Sequence, residues 1–141
     1  MARSDSYLAA LASVPLFAAC TKKELQLVAN KAEHRTVDAG ARLVTEGSAG
    51  AEFFVILDGK ARVDRHGTKV AELGPGGYFG ELSLLDRAPR NATVVAETPM
   101  ELVVLGQRAF DELLDSVANF DKKLLAGLAR RLRQEDLKTV Q

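Results

Sequence analysis

Residues 76–93 read Gly76-Gly77-Tyr78-Phe79-Gly80-Glu81-Leu82-Ser83-Leu84-Leu85-Asp86-Arg87-Ala88-Pro89-Arg90-Asn91-Ala92-Thr93. Three physical elements share this stretch. Glycines precede a short helix-like segment, Leu82–Asp86, so backbone N–H groups at its start can point at a bound anion. Glu81 stands at the same end and can accept hydrogen bonds from a hydroxyl pair. Arg90 follows Pro89, which resets the chain, and its guanidinium can clamp a phosphate through two parallel hydrogen bonds. One acceptor beside one phosphate clamp suits a sugar phosphate with a free hydroxyl. Taken alone the pattern is weak, because a Gly-Glu with a downstream arginine is more often a surface ion pair.

Outward from this stretch, residues 33–105 carry short apolar or alternating runs separated by glycine turns. The runs are Arg42–Thr45, Phe53–Leu57, Ala61–Arg65, Lys69–Leu73, Thr93–Glu97 and Glu101–Leu105. Strands spaced this way, with no crossover-length helix between them, predict an antiparallel β-sandwich or barrel rather than a parallel α/β sheet. On the N-terminal side, Tyr7, Leu8 and Leu11 share one helical face, and Pro15 ends that segment. Thr21-Lys22-Lys23-Glu24 is a capping box, which predicts a second helix over 22–31. After residue 107 the period becomes helical. Phe110, Leu113, Leu114 and Val117 form one stripe, and Phe120, Leu124, Leu125, Leu128, Ala129 and Leu132 another. The expected fold is α+β and mainly β: an antiparallel jelly-roll-like β-roll over 33–105, between N-terminal helices over 5–31 and C-terminal helices over 107–136. No repeat or linker divides the 141 residues, which fit one domain.

Composition narrows the classes. Nineteen Lys and Arg balance 19 Asp and Glu, which argues against direct nucleic-acid binding. The basic residues Lys122, Lys123, Arg130, Arg131 and Arg133 read as a solvated helix face. No segment approaches the ~18 apolar residues needed to span a membrane. Ala9–Cys20 loosely imitates a lipoprotein cleavage box, but Asp5 and Pro15 argue against processing. A lone cysteine, Cys20, cannot form an internal disulfide, which fits a cytoplasmic location; it is expected to be buried. His34 and His66 are isolated, so a cupin-like metalloenzyme lacks its ligand cluster. Ser83 has no histidine beside it, so a hydrolase lacks its base. No enzyme, metal or cofactor is expected.

The stretch at 76–93 resembles the phosphate-binding cassette of the cyclic nucleotide-binding domain family, which includes catabolite activators and protein kinase A regulatory subunits. Phe79 to Leu82 match, as do Pro89, Arg90, Ala92 and Thr93, so the cassette spans 79–93. The resemblance extends to Val14–Phe17, Gly40, Glu46-Gly47, the Phe53–Leu57 run with Gly59, and Ala129-Arg130-Arg131-Leu132, and so covers roughly residues 10 to 135. It implies that Arg90 pairs with the exocyclic oxygens of a cyclic phosphate and that Glu81 accepts from the ribose 2′-hydroxyl. Backbone N–H groups of Gly80, Leu82 and Ala92 would add donors, with Asn91 and Thr93 completing the cassette. Val63, Ala71 and Leu73 would wall the base pocket.

Asn91 offers both a donor and an acceptor and so does not select the base; cyclic AMP is taken as the ligand before cyclic GMP. Glu135 and Asp136 fall where some relatives cap adenine, but they read better as a solvated helix end. The implied function is a non-catalytic sensor whose occupancy shifts the C-terminal helices about a hinge at Gly106–Phe110. An effector protein or a second copy, through the C-terminal helix, is the expected partner. No output domain fits within the chain, which reads as either a stand-alone sensor or a piece of a longer protein. The rival reading is a β-roll interaction module that binds no nucleotide; the Glu81–Arg90 pair favours a competent site.

Overall fold

The computed structural model describes residues 2–140, and the side chains of residues 7–134. The chain forms two compact units: Ala32–Phe110, and the helical segments before residue 32 and after residue 110.

The helical unit begins with α1 (Ala2–Ala12), a 3-10 turn at Pro15–Phe17, and α2 (Lys22–Lys31). Tyr7 and Leu11 are buried and Leu8 is half-buried. The capping box forms in both directions: Glu24 N–H donates to Thr21 Oγ1 at 3.2 Å, and Thr21 N–H donates to Glu24 Oε1 at 2.7 Å. The α4 helix (Gln107–Ser116) begins in the other unit, and α5 runs from Phe120 to Val140. Phe120 stacks on Phe17 with ring centroids 6.4 Å apart. Gly127 lets α5 pass directly over the 3-10 turn, since a Cβ there would meet the Pro15 carbonyl and lie 2.7 Å from that of Leu16.

The expected apolar stripe is only partly covered. Phe120 and Leu124 are buried, but Leu125 and Leu132 are 66% and 63% exposed. Leu114 is likewise exposed, and Val117 lies beyond the end of α4. Cys20 is half-buried rather than buried. Desolvation pushes its thiol up to about 11, with Glu24 adding to the rise and Lys123 opposing it.

The β unit has eight strands. They are β1 (Glu33–Val37), β2 (Arg42–Val44), β3 (Glu52–Asp58), β4 (Ala61–Arg65), β5 (Thr68–Leu73), β6 (Tyr78–Phe79), β7 (Thr93–Ala96) and β8 (Met100–Gly106). They form two antiparallel four-stranded sheets, ordered β1-β8-β3-β6 and β2-β7-β4-β5. This is the expected mainly-β α+β architecture, with two strands more than the sequence runs identify. Strand β1 is polar at four of its five residues and lies at a sheet edge, and β6 is only two residues long.

The core of this unit is Phe54, Ile56, Ala61, Val94, Ala96, Met100, Leu102 and Val104. Phe79 of β6 stacks on Phe54 at 4.7 Å, which anchors the chain just before the cassette. His66-Gly67 closes the β4–β5 hairpin. Both residues have positive φ, 52° and 79°, as a two-residue primed turn requires.

Candidate functional site

The cassette is built from β6, then Gly80, then α3 (Glu81–Asp86). Gly80 is the N-cap of α3, at φ 89°. A Cβ at Gly80 would meet Arg90 Nη1 and lie 2.7 Å from the Glu52 carbonyl oxygen, so only glycine fits beside the guanidinium. Helix α3 ends at Arg87, in the left-handed region, whose N–H donates to the Ser83 carbonyl. Pro89 then bridges to Ala49 and brings the chain back to Arg90.

Arg90 is only 8% exposed. Its Nη2 donates to the Glu52 carbonyl at 2.5 Å, and its Nη1 to Ser83 Oγ at 3.2 Å. Both partners are neutral. Burial pulls the Arg90 guanidinium below its ordinary value, while the carboxylates of Glu52 and Glu81 oppose that shift. An arginine keeps its charge regardless, so this is a buried cation acted on by the carboxylates of Glu52 and Glu81, with hydrogen bonds to neutral partners. The Glu52 carboxylate is already engaged: Arg35 donates to it from Nη2 at 2.8 Å and from Nη1 at 3.3 Å. Gly50 closes the other flank. A Cβ there would lie 2.8 Å from Arg90 Nε and 2.6 Å from Ser83 Oγ. A cavity of about 460 Å³ opens beside Arg90, lined also by Leu43, Val44, Thr45, Ser48 and Glu52.

The structure brings Gly80, Glu81 and Arg90 together. Glu81 is buried at the first residue of α3. The Leu82 side chain is 54% exposed, at the second residue of α3. Ala92 is buried and Asn91 is exposed, with the Asn91 carbonyl accepting from Arg65 Nε at 3.2 Å. Thr93 Oγ1 accepts from the Glu46 N–H at 2.9 Å. Val63 and Ala71 face one another across β4 and β5, with Leu73 paired to Ala61. Val63 and Leu73 pack against the sheet core, Ala71 is exposed, and none of the three lines the cavity beside Arg90. The side chains of Glu135 and Asp136 lie outside the described residues.

The two histidines are apart: His34 Nε2 lies 3.1 Å from Glu101, and His66 Nδ1 lies 3.2 Å from Glu46. Among the described residues, no group of three or more His, Cys, Asp or Glu is placed to hold a metal. Nor is any helix among them long and apolar enough to cross a membrane. Sequence reading did not find Glu52, Gly50 or the 45–48 loop as parts of the site. The Glu46-Gly47 pair was the available signal for that loop.

The sequence model of the cyclic nucleotide-binding domain family matches residues 34–117. A cAMP-dependent protein kinase regulatory subunit from Yarrowia lipolytica is 35% identical over 123 residues, which covers 86% of this chain and 33% of the relative. The chain thus spans about a third of that curated relative's length. Among solved structures, the N-terminal domain of a transcriptional regulator from Streptomyces coelicolor A3(2) superposes with a TM-score of 0.81 at 32% identity, covering 89% of this chain and 94% of that one. The regulatory domain of Toxoplasma gondii PKA, crystallised with cAMP, superposes at 0.72 with 26% identity, covering 92% and 51%. With the jelly-roll sheets, the cassette around Arg90 and these matches in agreement, the chain belongs to the cyclic nucleotide-binding domain family.

Proposed function

We propose that this chain is a regulatory sensor that binds a cyclic nucleotide at Arg90, cyclic AMP before cyclic GMP. The observation that carries the reading is the buried Arg90 guanidinium, whose hydrogen bonds among the described residues go to a carbonyl and a hydroxyl. A buried charge without an ionic partner is costly, and a cyclic phosphate arriving at the guanidinium relieves that cost with charge-assisted hydrogen bonds. Glu81 then accepts from the ribose 2′-hydroxyl. Backbone N–H groups of Gly80, Leu82 and Ala92 donate to the phosphate, Asn91 and Thr93 complete the cassette, and Val63, Ala71 and Leu73 wall the base. The preference for cyclic AMP is supported by relatives named for it, the Yarrowia lipolytica subunit and the Toxoplasma gondii domain.

No bond is made or broken in this function, and no metal or cofactor is needed. Occupancy biases the C-terminal helices between two arrangements about a hinge at Gly106–Phe110. An effector protein or a second copy reads that change in the cytoplasm. Calorimetric titration with cyclic AMP and with cyclic GMP tests the reading. Saturable binding of cyclic AMP is expected, weakened at least about thirtyfold in Arg90→Ala and about tenfold in Glu81→Ala. Native protein that binds neither nucleotide would favour the interaction module, and unchanged affinity in Arg90→Ala would sink the assignment of the site.

A further inference from the structure

The main chain at Arg90 is held from one side by the loop that follows β2. Gly47 N–H donates to the Arg90 carbonyl, and Arg90 N–H donates to the Ser48 carbonyl, both at 2.8 Å. These two bonds fix the backbone from which the guanidinium projects. The loop is anchored in turn at Glu46, which lies within it. Glu46 N–H donates to Thr93 Oγ1 at 2.9 Å. The Glu46 carboxylate reaches the tip of the β4–β5 hairpin, where Oε1 accepts from the His66 N–H at 2.9 Å and Oε2 lies 3.2 Å from His66 Nδ1. The same tip grips the far end of the cassette, where Arg65 Nε donates to the Asn91 carbonyl at 3.2 Å. The hairpin tip therefore holds both chains that flank Arg90, one of them through a single carboxylate.

We infer that Glu46 is a positioning residue for Arg90: by tying the 46–48 loop to the β4–β5 hairpin tip, it sets where the guanidinium meets its anion. An exposed histidine–glutamate contact contributes little by itself. Glu46 differs from such a pair because each oxygen of its carboxylate meets the hairpin tip while its main-chain N–H is held by Thr93, and its side chain is 28% exposed against 83% for His66. Losing the carboxylate frees the loop whose two bonds hold Arg90, with no change at any group that would touch a ligand. The inference rests on the proposed role of Arg90, and its test is arranged to separate the two.

The experiment compares native protein, Glu46→Ala and Glu46→Gln. It measures cyclic AMP affinity by calorimetry, the Arg90 Nε–H resonance by NMR in ligand-free protein, and the melting temperature. Glu46→Ala is expected to weaken cyclic AMP by about tenfold, the equivalent of roughly one hydrogen bond, and to shift the Arg90 resonance. Glu46→Gln keeps an acceptor for the His66 N–H and is expected to restore both readouts, with affinity within about threefold of native. An Arg90 resonance that stays in place in Glu46→Ala overturns the inference, as does a Gln variant that behaves like the Ala variant. Should Glu46→Ala not fold, His66→Gly cuts only the ring contact at a turn position that suits glycine; no movement of the Arg90 resonance there overturns the inference. If native protein binds no cyclic nucleotide, the proposed function fails, and the ligand-free resonance still decides the role of Glu46.

Discussion

Glu52 serves two arginines in opposite ways. Its carboxylate takes the fork of Arg35, and the hydrogen bonds that Arg35 donates to it, aided by Glu33, hold the Arg35 guanidinium well above its ordinary value. Its carbonyl takes Arg90, whose guanidinium is lowered by burial. One residue thus leaves one arginine neutralised and the other open to an anion. Gly80 makes this arrangement possible, and Gly80→Ala tests it. The added methyl meets Arg90 Nη1 and the Glu52 carbonyl, at a backbone φ of 89°. The expected outcome is roughly 1–3 kcal/mol of lost stability together with weakened cyclic AMP binding, read by urea unfolding with and without ligand. Unchanged values in both would show that the close approach carries no load. Arg90 and Glu81 are legible in the sequence only through the cassette they share with a family, because each alone is an ordinary charged residue. Glu46 is legible only as part of the Glu46-Gly47 pair, not as a contact of the site, and Glu52 not at all, since their decisive partners are 47, 38 and 20 residues away in the chain.

Elements defined by local rules were readable. Helix α2 spans Lys22–Lys31, as the capping box at Thr21–Glu24 predicts, because both bonds of the box join residues three apart. Strand β1 was not readable: four of the five residues of Glu33–Val37 are polar, and its strand form comes from pairing with β8, which the local sequence does not reveal. The exposed Leu125 and Leu132 have the same cause, since periodicity shows a face but not how far its partner extends.

Glu24 gives this scale its prediction. Beyond capping α2, it accepts from Lys123 Nζ of α5 at 2.5 and 2.6 Å. The hydrogen bond from Lys123 is the main reason its carboxyl lies below the ordinary range, with the Thr21 N–H adding to it. The contribution of Glu24 to stability is therefore complete above the ordinary glutamate value of about 4.3 and is lost as pH falls through the lower folded value. Glu24→Gln is expected to be less stable at pH 7 and to lose less stability on acidification, measured by thermal unfolding from pH 7 to pH 3. A native-like acid profile in the variant would remove Glu24 from this role.

At the scale of the molecule, glycine-separated runs point to an antiparallel sandwich or barrel but not to the order of its strands. That β8 lies between β1 and β3, and β7 between β2 and β4, follows from long-range pairing. The zero net charge also takes on a local meaning, since a single buried guanidinium can attract an anion without a basic surface. The sheet order has one more consequence. Strand β5 pairs only with β4, and Thr68–Glu72 is exposed along its whole length. Such an edge offers its unpaired backbone to any neighbouring molecule, and charged side chains are the usual guard against that. On β5 the guards are Lys69 and Glu72, paired at 3.0 Å on either side of the exposed Val70 and Ala71. Replacing both with valine is expected to change folding stability by no more than about 0.5 kcal/mol, yet to bring concentration-dependent aggregation on warming, followed by light scattering. Scattering equal to that of the native chain would place the protection elsewhere. The ion pair on β5, weak as a source of stability, then matters chiefly as a barrier to edge-to-edge polymerisation.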